Sequence, residues 1–402
     1  MPLRVLIIPD KFKGTLTAQA AAETIARGWR GARPGDTLDL LPMSDGGDGF
    51  AEVTGALLQA KRQAVRTVDA AHRPCRSMWW WKPEDGTAVI ESASIIGLAM
   101  LPDGRFHPFD LDTFGLGAVV RAAARKGARR CLVGIGGSAT NDGGFGLARA
   151  LGWELLDHQG QRIETWTGLD KLTRILPPFE PGAPACCRLT RSEQSKPATC
   201  RRSGWFEEIL VAVDVQNPLL GRRGASRIYG PQKGLRPADF AQAERCLGRL
   251  ARVVRQQFGR DFAKEPGAGA AGGLGFGLLA FLGAKLEPGF ALFARFSCLE
   301  ERLRAADLVI TGEGAIDPSS FMGKGAGQIA RRCRQLKIPC IGLAGVVPCP
   351  AKARRHFTQT HALTDLASVH QAKAQPARWL ERLAQQVARR LNSRSEGLPS
   401  GA

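Results

Sequence analysis

Four glycine-rich loops with acidic or amide side chains in or beside them constrain this chain most. They are PMSDGGDGF (Pro42–Phe50), GIGGSATNDGGFG (Gly134–Gly146), PGAGAAGGLGFG (Pro266–Gly277) and TGEGAID (Thr311–Asp317). Glycine tolerates φ > 0 and lets backbone N–H groups approach a ligand closely. Arrays of such N–H groups at helix starts bind anions. Carboxylates beside them repel phosphate unless a divalent cation, or a hydroxyl awaiting deprotonation, lies between. Glycine for phosphate with Asp or Glu for metal is the pattern of phosphoryl transfer. Glycine makes up 48 of 402 residues, above the usual ~7 %, and the surplus sits in these loops.

The elements around the loops read as α/β. LRVLIIP (Leu3–Pro9) is a nearly continuous apolar run, the mark of a buried parallel strand. Thr17 is placed to cap a helix ending near Arg30, and TLDLLP (Thr37–Pro42) is a second strand that stops at the first Asp/Gly loop. This order predicts ligand-binding loops at the C-terminal ends of strands. From about Arg66 the character changes. RSMWWWKP and GTAVIESAS read as strands of a mixed or antiparallel sheet, Thr113–Lys126 as a helix leading into the strand RCLVGIGG, Glu208–Val215 as a strand and Pro237–Phe258 as a long amphipathic helix. After Cys298 the first rhythm returns, with the strand Ala306–Gly312, the helix Lys324–Leu336, the strand IPCIGLAG and a closing helix Ala377–Leu391. The expected organisation is a discontinuous α/β domain made of residues 1–67 and 298–392, an inserted α/β domain over 68–297, and a disordered tail over 393–402.

Composition excludes several classes. A hydrophobic content of 44 % with 23 % charged residues is that of a soluble globular protein. No apolar run reaches the ~18 residues a membrane span needs, and no export signal is evident, so a cytoplasmic protein is expected. The ten cysteines lack framework spacing, which fits reduced thiols. Residues 179–204 are rich in Pro, Ser, Arg and Cys without periodicity. Cys186, Cys187 and Cys200 lack the paired spacing of a zinc site, so a mobile surface insertion is expected. The net charge of +19 rests mostly on arginines in helix-like stretches. No nucleic-acid motif accompanies it and no aromatic residues are interleaved with it, so a specific nucleic-acid partner is not expected.

The loops carry the chemistry. Lys11 and Lys13 flank Phe12 just past the first strand, where two ammonium groups suit an anionic substrate. Asp45 and Asp48 stand three apart around two glycines, a spacing suited to one Mg²⁺ or to a metal and a base. In the second loop Gly136, Gly137, Ser138, Thr140 and Asn141 offer N–H, hydroxyl and amide groups to phosphate, with Asp142 directed to metal or substrate. Its first part also loosely matches a dinucleotide fingerprint through Gly134, Gly136 and Ala139; a nicotinamide-dependent dehydrogenase would then need Glu154 or Asp157 at the ribose. Glu313 and Asp317 lie at the end of the strand ADLVI, and Lys324 near a helix start is a natural phosphate contact without Walker A spacing.

These motifs, taken together, resemble the bacterial type I glycerate kinases. The resemblance runs from about Leu3 to Leu391 and rests on PDKFKGTLTA, PMSDGGDG, IESASIIGL, GIGGSATNDGG, DVQNPLLGRRGA, YGPQKG, PGAGAAGGLGFG and ADLVITGEGAID followed by GK. It implies a flavodoxin-like domain with an inserted domain of restriction-endonuclease-like topology, ATP and Mg²⁺ as cofactors, and glycerate as the acceptor, with 2-phosphoglycerate rather than 3-phosphoglycerate as product. Carried over motif by motif, it makes Asp45, Asp48, Asp214 and Glu313 the pool for base and metal roles, with Asp45, Asp48 and Glu313 as candidate Mg²⁺ ligands. Lys11, Lys13 and Arg105 are candidates for the substrate carboxylate, and Asn217, Gln232, Lys233, Asp317 and Lys324 join the second loop as substrate or phosphate contacts. Two departures stand out. The family's Arg-Asn-Pro is here Arg105-Phe106-His107-Pro108, and its Asp-x-Gln-Thr is Asp317-Pro318-Ser319-Ser320. A nucleic-acid-binding role rests on charge alone, and the sequence leaves monomer and homodimer open.

Overall fold

The computed structural model describes residues 1–178, 205–321 and 325–395. Among them the strands, in chain order, are β1 (Arg4–Pro9), β2 (Thr37–Leu40), β3 (Lys61–Val68), β4 (Pro74–Lys82), β5 (Thr87–Glu91), β6 (Arg130–Gly134), β7 (Glu154–Leu156), β8 (Arg174–Leu176), β9 (Glu208–Val213), β10 (Lys285–Pro288), β11 (Leu308–Ala315), β12 (Cys340–Val346) and β13 (Gln359–Ala362). The helices named below are α1 (Ala18–Arg30), α2 (Phe50–Leu57), α3 (Phe145–Ala150), α4 (Ala225–Tyr229), α5 (Phe240–Phe258), α6 (Ala270–Leu282), α7 (Gly325–Gln335) and α8 (Pro376–Ser395). Residues 179–204, including Cys186, Cys187 and Cys200, lie outside the described residues, as do Lys324 and the tail from 396. No helix among the described residues is long and apolar enough to cross a membrane.

The chain forms two compact units, Met1–Asp45 with Phe290–Ala402, and Gly46–Gly289. The first contains a parallel sheet in the order β13-β12-β11-β1-β2. Counted within the unit this reads 2-1-3-4-5, a common doubly wound order. The apolar run of β1 is buried along five of its six residues, because helices cover both faces of such a sheet. Thr17 caps α1 by accepting from Ala20 N at 3.1 Å. Ile25 and Trp29 of α1 sink fully into the core with Leu380, Leu383 and Val387 of α8; burying each such side chain stabilises by ~1.5–3 kcal/mol.

The second unit is built on a mixed sheet in the order β10-β9-β6-β5-β4-β3, parallel as far as β5 and antiparallel beyond it. The β3–β4 hairpin turns at Asp69, whose carboxylate accepts from Ala71 N and Arg73 N. In β4 the alternation puts Trp79 and Trp81 inside, at 1 % and 9 % exposure, as the period of a strand requires. Two clusters fill this unit. One contains Ile90, Val133 and Val211 of the sheet, and the other gathers around Leu247 and Leu250 of α5 and Phe276 of α6.

Several expected boundaries move. By contact the first unit runs to Asp45 and resumes at Phe290, where 67 and 298 were expected, and β3 pairs along its length with β4 in the second unit. The helix expected from Thr113 begins at Leu116, since Thr113 is hooked to another loop. Strand β11 runs on through Glu313 to Ala315, so Glu313 projects from a strand and not from a loop past its end.

Candidate active-site residues

In the first unit the strand order reverses between β1 and β11, where ligands bind in open parallel sheets. Asp10 follows β1 directly, and its N–H donates to Gly312 O of β11 at 2.8 Å. Glu313 is the next residue of β11, and Asp45 follows β2, whose continuation runs beside β1 through Met43 N to Pro9 O. Asp10 therefore lies on the strand between the other two acids. Burial first, then the charge of Asp45 and less that of Glu313, push the Asp10 carboxyl up from 3.8 to about 7, against the Lys11 N–H and ammonium. The Lys11 N–H donates to Asp10 Oδ1 at 2.7 Å. Phe12 is buried and closes a tight turn with Leu16, leaving Lys11 half-buried and Lys13 exposed on either side. Sequence reasoning missed Asp10. The signal was available: it is an acid at a strand's C-terminal end, the criterion that selected Asp45.

Among the described residues no group of three or more His, Cys, Asp or Glu side chains is close enough to hold a metal ion by itself. Mg²⁺ commonly keeps its waters and takes one or two carboxylates together with substrate phosphates. The crowded carboxylates at the ends of β1, β2 and β11 are the right donor chemistry for it. Asp317 sits in a turn whose Ser320 hydroxyl accepts from Asp317 N and donates to Ala315 O.

The second unit holds the remaining candidates. Glu91, at the end of β5, accepts from Gly49 N and Ala51 N, both at 3.0 Å, and so fixes the start of α2 and the loop carrying exposed Asp48. Gly136 N donates to Gly46 O at 3.1 Å, binding the first two glycine loops together. Gly137 takes φ +73, where glycine is favoured, and a Cβ there would displace the Asp48 carboxylate, whose Oδ1 would lie 2.2 Å away. Beyond it, the hydroxyls of Ser138 and Thr140 pair at 3.0 Å. Asn141 is fully buried and its Nδ2 donates to Ser226 Oγ of α4 at 2.9 Å. Lys233 is 7 % exposed and its Nζ donates to Thr140 O at 2.7 Å. Burial lowers its pKa from 10.5 to about 7, while the charge of Asp142 works in the opposite direction.

Two expected ligand contacts make hydrogen bonds inside the fold. Asp142 is fully buried, and its oxygens accept from Thr113 N, Thr113 Oγ1, Gly144 N and Gly146 N. It pins the loop to the start of α3. Burial and the charge of Asp112 push its carboxyl up to about 6 against those hydrogen bonds. Asn217 gives its Nδ2 to Arg223 O and receives Tyr229 OH, so both ends of its amide are used. Asp214 and Gln232 are exposed, and the Asp214 charge, after burial, raises the Tyr229 hydroxyl pKa. Arg105 is exposed over the Phe106 ring at 5.8 Å, and Arg73 approaches the same ring at 5.3 Å. His107, in the departure from the family pattern, accepts from Phe109 N through Nδ1, so its Nε2 donates to Asp239 at 3.2 Å.

The third glycine loop braces the second. Ala271, Gly272 and Gly273 all take left-handed φ at the start of α6, and Gly272 O accepts from Gly143 N at 3.1 Å. A Cβ on Gly272 would lie 1.9 Å from Thr140 O. Gly272→Ala should therefore lower stability by about 2–4 kcal/mol, from strain and a backbone clash together. Urea denaturation checks this; an unchanged midpoint would mean that the loop yields freely. The dinucleotide alternative also fails on geometry. The helix after the glycines starts only at Phe145, and Glu154 opens β7, which pairs with β8 outside the six-stranded sheet.

A family model described as the glycerate kinase family matches residues 5–392. A protein of Halalkalibacterium halodurans named glycerate kinase is 37 % identical over 343 residues, 85 % of each chain. An Escherichia coli protein named glycerate 2-kinase is 35 % identical over 345 residues, again 85 % of each chain. A crystal structure from Salmonella typhimurium LT2 bearing the name glycerate kinase 2 superposes with a TM-score of 0.79 at 30 % identity, over 98 % of this chain and 100 % of that one.

Proposed function

Because this chain belongs to the glycerate kinase family and is a kinase, we propose that it transfers the γ-phosphoryl group of ATP to the 2-hydroxyl of D-glycerate. The observation that carries the reading is the set of carboxylates at the strand-order reversal of the first unit. A hydroxyl must lose a proton as its oxygen attacks phosphorus, and the attack must be shielded from negative charge. Asp10 is the proton acceptor in this reading. It is the central acid of the three and is held by the Lys11 N–H. The O–P bond to the acceptor forms, the bond from γ-phosphorus to the ADP oxygen breaks, and the hydroxyl proton passes to Asp10. Asp45 and Glu313 would hold Mg²⁺, which neutralises phosphate charge when bound. Lys11 and Lys13 offer positive charge beside these acids. Positioning and charge neutralisation, not covalent chemistry, supply the acceleration.

The strand order of the first unit supports a flavodoxin-like assignment, and we assign the mixed sheet of the second a restriction-endonuclease-like topology. The family sets aside the nicotinamide and nucleic-acid readings. We assign the protein to the cytoplasm.

An assay of ADP release with D-glycerate, ATP and Mg²⁺, with 2- and 3-phosphoglycerate separated, tests the proposal. Absence of ADP formation would end it, and a 3-phosphate product would reassign the attacking hydroxyl. Asp45→Asn should reduce turnover by about 100-fold or more, as loss of a metal ligand does. Wild-type turnover with an unaltered Mg²⁺ requirement would remove Asp45 from the site.

A further inference from the structure

Residues 318–364 hold eight Lys and Arg side chains and no Asp or Glu, in a chain whose net charge is +19. The first unit gathers much of this stretch on one face. Arg331 and Arg334 stand three apart on α7, which puts them on the same side of the helix. Arg334 Nη1 donates to Arg355 O at 2.9 Å, so the segment that follows residues 350–353 lies against that side. Burial first, then the charges of Arg334 and Arg355, lower the pKa of His356. Arg332 pairs with Glu300. Arg331, Arg334, Lys337, Arg354 and Arg355 are exposed, and among the described residues no carboxylate pairs with them. Like charges collected without counter-charge repel one another, and a bound polyanion relieves that repulsion.

Aromatic surface stands beside the charge. The half-buried rings of Phe321 and His356 stack with centroids 4.1 Å apart and planes 18° apart. Together with Gly327, Gln328 and Arg331 they line an open hollow on α7. Phe321 and His356 are remote in sequence, so a search for aromatic residues interleaved with the arginines could not find this pairing. Cations that follow phosphates, beside rings on which bases stack, are the chemistry of single-stranded nucleic acid binding. Arginine suits it further, because its planar fork matches phosphate oxygens. A membrane surface fits less well, since no exposed large apolar side chain among the described residues falls within 318–364. One mononucleotide would answer only part of a charge that extends over two segments.

We propose that this face of the first unit binds single-stranded nucleic acid through its phosphates, without reading base sequence. The binding is an addition to the kinase activity and does not depend on how the phosphoryl group is transferred.

The test measures fluorescence polarisation of a labelled oligouridylate with the full chain over a series of salt concentrations. Wild type is compared with Arg331→Glu/Arg355→Glu, with His356→Ala, and with Arg245→Glu/Arg252→Glu. The last pair lies exposed on α5 of the second unit and changes the net charge by the same amount as the first. Thermal melts establish that each variant is folded, and Arg331→Gln/Arg355→Gln serves if the glutamate pair is not. Wild type should bind with a log–log salt slope of about −0.7 for each phosphate neutralised. The α7-face pair should weaken binding by about 10-fold or more and flatten that slope. His356→Ala should weaken it by about 5-fold or more through lost stacking. The α5 pair should change it by less than about threefold. Absence of wild-type binding at low salt would overturn the proposal. So would equal weakening by the α5 pair, which would mean that net charge and not this face is responsible. Displacement of the oligouridylate by ATP would make the hollow a mononucleotide site, and tighter binding to anionic phospholipid vesicles than to the oligouridylate would make the face a membrane contact; either result would overturn the assignment.

Discussion

Asp10→Asn is expected to lower kcat by about 10²–10⁴-fold, the range for removal of a general base, with a much smaller change in KM for glycerate. The same substitution should make the ligand-free protein more stable at pH 8. The folded-state pKa of Asp10 is raised from 3.8 to about 7. Between those values the folded protein holds a proton that the unfolded chain has released, so stability falls as pH rises through that window. Above about 7 the whole penalty is present; below about 4 it is gone. Asparagine does not titrate. The variant should therefore melt higher than wild type at pH 8 and lose that advantage as pH is lowered towards 4. Gain of stability with loss of function is the mark of a group kept for its chemistry. A variant that keeps its turnover, or that melts lower than wild type at pH 8, would return Asp10 to an ordinary structural role.

How far the sequence spoke for itself differs between the two units. Strands β1, β11 and β12 were legible because a parallel strand buried on both faces is apolar without interruption. The extent of the second unit was not. β3 reads KRQAVRTV, an edge strand whose charged residues face solvent, and only its register with β4 shows that it belongs to the mixed sheet. The site shows the same division. That the glycine loops matter, and that acids stand at strand ends, could be read from residue types. The direction in which an acid points could not. Asp142 and Asp45 look alike in their loops, yet Asp142 finds Thr113, 29 residues away, and spends itself there. Asn217 meets Tyr229 in the same way, and the third loop meets the second. For each, the protein partner stands elsewhere in the chain, so residue type alone could not show these hydrogen bonds. Asp10 was passed over for the opposite reason, since two lysines beside it drew the reading.

Asp142→Ala is expected to cost about 3–5 kcal/mol, the loss that follows when a buried charge-assisted network is cut. Removing the carboxylate leaves Thr113 N, Thr113 Oγ1, Gly144 N and Gly146 N without their acceptor. Each buried donor left unmade costs about 1–3 kcal/mol, and water entering the cavity recovers part of the sum. Native domains are stable by only about 5–15 kcal/mol, so the variant is marginal even without ligand. Asp142→Asn keeps the shape and one acceptor oxygen, and should lose less. Urea denaturation in the absence of ATP and glycerate separates the two roles open to this residue. A ligand-binding acid would leave the ligand-free midpoint where it is and weaken only the nucleotide or Mg²⁺ requirement. A pin would lower the midpoint in the ligand-free protein, with the alanine variant below the asparagine one. An unchanged ligand-free midpoint in Asp142→Ala would show that the four hydrogen bonds do not hold the loop, and would put Asp142 back among the groups that meet substrate.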